Sequence, residues 1–268
     1  MPVIILASVI VLAICAPLIA PYSPMIGKLG DKLKPPGWVH GGSMSHPLGT
    51  DELGRDILSR IIYGARTSLT VAALAVFFAG SIGTTLGLVS GFFGGFIDIL
   101  IMRLADIAFS IPVMLLAIIL VTTLGPGLDN LILVIMLLLW PYYTRQVRGE
   151  TLSVKERDFV AVARVVGCSN SRIMLRHILP NVAPTVLVLL TLQAASVIIL
   201  EAALSFLGVG IPPPTPAWGL MVGEGRLYLV SAWWISLWPG LAILLTVLSI
   251  NLLGDWLRDR FDPKLKHI

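Results

Sequence analysis

Few groups in this sequence stand where they could do chemistry. His40, His46, His177 and His267 are scattered and form no His-Glu-x-x-His pair on one helical face. Cys15 lies in an apolar run and Cys168 in a polar one, which argues against a disulfide or a metal site. No Gly-x-x-x-x-Gly-Lys-Ser/Thr loop is present to cradle nucleotide phosphates. What remains is a polar stretch, 156–180, set between apolar runs and too long for a simple turn. In it Arg164, Arg172 and Arg176 frame Phe159, Val160, Ala163 and Val166, then Ile173, Met174 and Ile178, spaced at helical intervals. Such a surface suits docking of a soluble protein, with charges steering and apolar side chains anchoring. It equally suits a basic loop that fixes topology, or an amphipathic pair of helices lying on lipid.

Ionisable groups inside apolar runs are the other candidates. A carboxylate well inside a bilayer costs on the order of 3 kcal/mol, so Glu201 calls for a partner or water. It reads as part of a pathway or gate, as a group hydrated near an interface, or as one paired with a polar group of another subunit. Asp106 is three residues from Arg103, on one helical face, which predicts a structural pair and leaves Asp106, with Glu201 and Asn251, a candidate for the pathway or gate. Asn251 and Asp255, four apart, face one way, toward a pathway mouth or as anchors of the C-terminal tail.

The elements that position these groups follow from composition. With 56% hydrophobic and 13% charged residues and a mean hydropathy of +0.91, the chain belongs in a bilayer. Apolar runs near 3–20, 68–96, 99–124, 128–143, 182–207 and 235–253 predict an all-α membrane protein with six transmembrane helices. The first lacks a basic leader and is read as a membrane helix rather than a signal peptide. The net charge of +4 does not point to nucleic acid, because basic residues concentrate beside apolar runs. Arg145, Arg148, Lys155, Arg157, Arg164, Arg172 and Arg176 precede the fifth run, and Arg258, Arg260, Lys264 and Lys266 follow the sixth. Both groups are expected on the cytoplasmic side, with both termini.

The division expected is a first span over 1–20, an extracytoplasmic segment over 21–67, a core over 68–258 that includes the loop 144–180, and a tail over 259–268. Thr50 is predicted to cap an interfacial helix whose apolar face is Leu53, Ile57, Leu58, Ile61 and Ile62. Gly80, Gly83, Gly87 and Gly91 predict close approach of a neighbouring helix, and Pro112 a kink in the third span. Trp140 to Tyr143 suit an interfacial end to the fourth. Ser153 and Glu156 have capping-box spacing before one short helix; Gly167 supplies a turn, Ser169 or Asn170 caps a second, and Pro180 precedes the fifth span.

Several motifs in order carry a resemblance. Ala161-Val-Ala163, Gly167 and His177-Ile-Leu179-Pro180 fall at the spacing of the permease signature of ABC importers, Glu-Ala-Ala, three residues, Gly, nine residues, Ile-x-Leu-Pro. His46-Pro-Leu-Gly-Thr-Asp-Glu-Leu-Gly-Arg-Asp56, Leu204-Ser-Phe-Leu-Gly208, Trp218-Gly219 and Arg258-Asp-Arg-Phe-Asp-Pro263 are similar to the second permease of dipeptide, oligopeptide and nickel importers. The resemblance covers nearly the whole chain. It implies a type I importer permease fold of the bacterial inner membrane and a non-catalytic subunit that moves peptides or another small solute. It further implies a heterodimer with a related permease, an extracytoplasmic solute-binding protein, and two cytoplasmic ATPases that bind the ATP and Mg. The 156–180 segment becomes a coupling-helix hairpin, with Glu156, Ala161, Ala163, Arg164, Gly167, Arg172, His177, Leu179 and Pro180 as its residues. Ala161 stands where the family favours Glu, so contact is expected to rest on apolar packing and arginines.

An ion-coupled secondary transporter is the competing class; it calls for intramembrane acids on unwound helices and internal repeats, and only Glu201 and Asp106 speak for it.

Overall fold

The computed structural model describes residues 2–261; Pro263, Lys264 and Lys266 of the predicted tail lie outside these. The chain is built of helices: α1 (Pro2–Ile14), α2 (Ile57–Phe93), α3 (Gly95–Phe109), α4 (Val113–Leu124), α5 (Leu128–Lys155), α6 (Asp158–Val165), α7 (Asn170–Phe206), α8 (Trp218–Gly225) and α9 (Trp234–Phe261). By length and composition α2, α7 and α9 can each cross a membrane, and α3 with α4 can do so as one span bent by 90°.

The seam of α2 on α5 is the most extensive helix pairing. It is as close as it is because glycines face it. A Cβ at Gly83 would lie 2.5 Å from Tyr143 Cβ and 2.6 Å from Trp140 O; at Gly87, 2.7 Å from Thr144 O and Val147 Cβ; at Gly91, 2.7 Å from Thr151 Cβ. Small residues let backbones approach where dispersion rather than hydrophobic transfer drives association. Gly83→Ala and Gly87→Ala are therefore expected to lower stability by about 1–3 kcal/mol each, read as a lower Tm in detergent. Gly80→Ala is expected to cost less, since its obstacle is the movable Leu190 side chain, at 2.6 Å.

The Trp218 indole joins α8 to α2, its Nε1 donating to Ile61 O at 3.0 Å. Segment 21–56 is an irregular cap with one short turn, Leu29–Asp31, tied to α9 by the Trp234 indole, whose Nε1 donates to Thr50 O at 3.0 Å. Its centre is a buried charge cluster. Asp51 accepts from Leu53 N and Arg55 N at 2.9 Å, from Arg55 Nε at 2.6 Å and from Arg60 Nη1 at 2.5 Å. Arg60 Nη2 lies 2.8 Å from Glu224 on α8. Burial, reinforced by Asp51 and Glu224, raises the neighbouring Glu52 carboxyl above its ordinary range. Although Asp51, Glu52 and Glu224 come close enough together to hold a cation, the two guanidinium groups already pair with them.

Five expectations change. The interfacial helix does not form separately: Asp51 is consumed by its own turn, Gly54 adopts φ +71°, and α2 starts at Ile57, with the Asp56 side chain accepting from Ser59 N. Thr50 joins the cap instead, its hydroxyl donating to Asp31 O at 2.5 Å. The third span is two helices rather than one kinked helix, because Pro112 follows a residue pushed out of helical backbone. The fourth does not stop at an aromatic belt: Tyr143 is fully buried, and α5 runs through Pro141 to Lys155, so Ser153 is inside a helix and forms no capping box. Asp106 pairs with Arg145 of α5, at 2.7 Å, instead of Arg103. The second short helix does not stay separate from the fifth span: from Asn170, α7 passes through a π-helical stretch at Met174–Ile178 into the α-helix that Pro180, in its first turn, opens as expected.

Candidate functional site

The 158–180 region folds as its local chemistry requires. Asp158 sits in the first turn of α6, where a carboxylate favours the helix dipole, and Arg164 in the last. Gly167, at φ +83°, reverses the chain; its N–H donates to Arg164 O and that of Cys168 to Ala163 O, both at 3.0 Å. The Ser169 side chain then accepts from Arg172 N at 3.4 Å and starts α7.

Two faces result. Val160, Ala163, Ile173 and Ile178 are buried against Leu88 and Phe92 of α2, Val147 and Val154 of α5, and Val182 of α7. On the other face Val162, Val165, Val166 and Leu175 are exposed, Val165 to 88% and Val166 to 75%. Ser171, Arg172, Leu175 and Arg176 line a shallow open groove on it. Arg164 extends over the Phe92 ring, 5.8 Å from its centroid.

Of the predicted residues, Ala163 belongs to the buried face, Ala161, Arg164, Gly167 and Arg172 are exposed, and His177 and Leu179 are half-buried. Glu156 is exposed at the end of α5, and Pro180 is exposed on α7. The sequence reading missed a clamp at the root of this region. Arg148 donates to Asp98 through Nε at 2.5 Å and Nη2 at 2.7 Å, Ser90 donates to the same carboxylate, and Lys155 Nζ donates to Gly91 O at 2.9 Å. The partners lie on α2, α3 and α5, too far apart along the chain for local spacing to reveal them.

Glu201 is fully buried: Ser68 donates to it at 2.9 Å and Ser205 at 2.8 Å, so it ties α2 to α7. Asp106 is on α3 and Asn251, half-buried, on α9; no hydrogen bond among the described residues joins either to Glu201.

Bilayer-length helices packed on one another through glycines define a polytopic membrane protein. Residues 83–267 match the family described as binding-protein-dependent transport system inner membrane component, and the chain belongs to it. It is 46% identical over 255 residues to the di/tripeptide transport system permease protein DppC of Pseudomonas aeruginosa (strain UCBPP-PA14), covering 95% of this chain and 84% of that one. It is also 46% identical over 257 residues to the glutathione transport system permease protein GsiD of Escherichia coli O6:K15:H31, covering 96% and 83%. Among solved structures, an inward-facing form of the MetNI methionine ABC transporter is similar in fold, with a TM-score of 0.64 at 18% identity over 75% of this chain and 96% of that one. The chain is thus an importer permease, a transport component rather than an enzyme.

Proposed function

We propose that the chain is the translocating subunit of an ATP-driven importer of short peptides in the bacterial inner membrane. It works with a second, related permease, two cytoplasmic ATPases that bind the ATP and Mg, and an extracytoplasmic solute-binding protein. Peptide is supported by relatives at 43–46% identity named for di/tripeptide, dipeptide and glutathione transport. On this reading α1 and α5 complete six spans with α2, the bent α3–α4 pair, α7 and α9. Both termini and the Gly167 turn are then cytoplasmic, and the 21–56 cap is extracytoplasmic.

The observation that carries the proposal is the two-faced region around Gly167. One face is buried on the ends of α2 and α5, the other offers exposed valines beside Arg172 and Arg176. An ATPase seated on that face would move α2 and α5 with it. Glu156, Ala161, Arg164 and Arg172 border the contact, while Ala163, His177 and Leu179 fix its shape.

The test is reconstitution with the companion permease, ATPases and binding protein in proteoliposomes. ATP-dependent uptake of a labelled dipeptide is expected, and none with a proton or sodium gradient alone. Uptake driven by a gradient without ATPases would overturn the importer reading; ATP-driven uptake of nickel but not peptide would overturn the substrate.

A further inference from the structure

Two ion pairs join α3 to α5, and they differ in kind. Asp98–Arg148 is bidentate, part-buried and shared with Ser90. Asp106–Arg145 rests on one hydrogen bond of 2.7 Å, and its side chains are 53% and 50% exposed. A forked, sheltered pair holds its geometry; a single, open one exchanges readily with water.

Arg145 also reaches a second target. Its guanidinium lies 4.4 Å from the centroid of the Phe109 ring, and Phe109 meets Tyr142 of α5 edge-on at 6.4 Å. Phe109 is the last residue of α3, directly before the break at Ser110, Ile111 and Pro112 where the chain turns by 90° into α4. From one position Arg145 therefore grips both the last turn of α3 and the side chain at the bend. Around it Phe109, Ile111 and Val113 are exposed, whereas α4 is anchored beyond the bend through buried Ala117 and Val121. A charged pair half-open on an apolar helix pair requires water or a polar neighbour rather than lipid, as on a translocation face. The helix that carries Arg145 ends at the region around Gly167.

We propose that Arg145 is a positioning residue for translocation: through Asp106 and Phe109 it sets the angle between α3 and α4, and displacement of α5 releases it. Asp98–Arg148 stays closed and acts as the pivot. The proposal rests on the importer reading, since it names the element of this chain that the ATPases reset.

The test uses the full importer in nanodiscs, with Cys15 and Cys168 replaced by serine and spin labels at Leu100→Cys on α3 and Leu115→Cys on α4. A single narrow distance distribution is expected without nucleotide. Arg145→Gln and Asp106→Asn are each expected to broaden it and to lower peptide transported per ATP hydrolysed about tenfold. ATPase co-purification should stay unchanged. The swap Asp106→Arg with Arg145→Asp should recover at least about half of the lost ratio, since it restores the ion pair without the Phe109 contact; the readout that a merely structural role would not move is the α3–α4 distance distribution at unchanged ATPase binding. Unchanged distances and ratio in both single variants, no recovery in the swap, or loss of ATPase binding in both singles would each overturn it. Wild type run in parallel separates the two readings: absence of ATP-driven uptake there fails the importer, while the label distances still report whether Arg145 holds the bend.

Discussion

Glutamate at both Val165 and Val166 is expected to strip the ATPases from the membrane complex while leaving the permease folded. Both side chains are exposed and outside the packed cluster beneath them, so the isolated chain should lose no more than about 0.5 kcal/mol at each position. In a docked complex they lie at the centre of the apolar face, where anchors are worth about 2 kcal/mol or more each and a buried unpaired carboxylate costs further. The sum is about 4 kcal/mol or more, roughly a thousandfold in affinity. Co-purification through a tag on this chain should fall to background with an unchanged Tm. The matched control is Val160→Glu on the buried face, which should lower the Tm itself. Retention of the ATPases by the double variant would remove the docking assignment.

The second large effect is expected at the other end of the molecule. Asp51 is fully buried and neutralises two buried arginines, Arg55 and Arg60, while also closing its own turn. Asp51→Asn preserves size but removes the nearest carboxylate that the two guanidinium groups share, leaving them Glu224 and, for Arg55, Glu52. Breaking a buried pair in this way costs about 3–5 kcal/mol. The loss should appear as a lower Tm and as protease cleavage within 21–56 of the intact complex. Adding Arg60→Met to Asp51→Asn should restore part of the stability, because the second change removes a buried guanidinium that has lost its nearest partner. Wild-type resistance in the single variant would mean that the Trp234 contact to Thr50 holds the cap without the cluster.

How much was legible from sequence depended on whether the deciding interaction was local. Gly167 as a left-handed turn and Ser169 as a cap could be read because each acts within a few residues. Gly83, Gly87 and Gly91 of α2 announced a close helix contact, and α5 supplies it, while Gly80 meets Leu190 of α7 first. Helix ends were misplaced where a capping group was claimed by something distant. Thr50 could have capped a helix had Asp31 and Lys34 not engaged it in the cap, and Ser153 has the spacing of a cap but lies on a helix that packing extends. Long-range partners were beyond reach for the same reason. Arg103 was the near partner for Asp106, yet α3 packs along α5, and Arg145, thirty-nine positions away, takes the carboxylate. Glu201 drew attention as a charge in an apolar run; nothing in its neighbourhood disclosed Ser68, on another helix, as its donor.

One helix, α2, begins in the buried cluster of the cap and ends beneath the region around Gly167. Its 37 residues amount to roughly 55 Å at 1.5 Å per residue, well beyond the hydrocarbon thickness of about 30 Å. No proline falls within it, Gly83, Gly87 and Gly91 are braced against α5, Gly80 against Leu190 of α7 and Gly64 against Trp218 of α8, so it has no joint at which strain could dissipate. A rod of this kind works in both directions. On the proposed function, solute delivery that shifts the cap should alter how tightly the ATPases bind nucleotide on the far side, and bound nucleotide should in turn alter how tightly the cap receives the solute-binding protein, by equal factors at equilibrium.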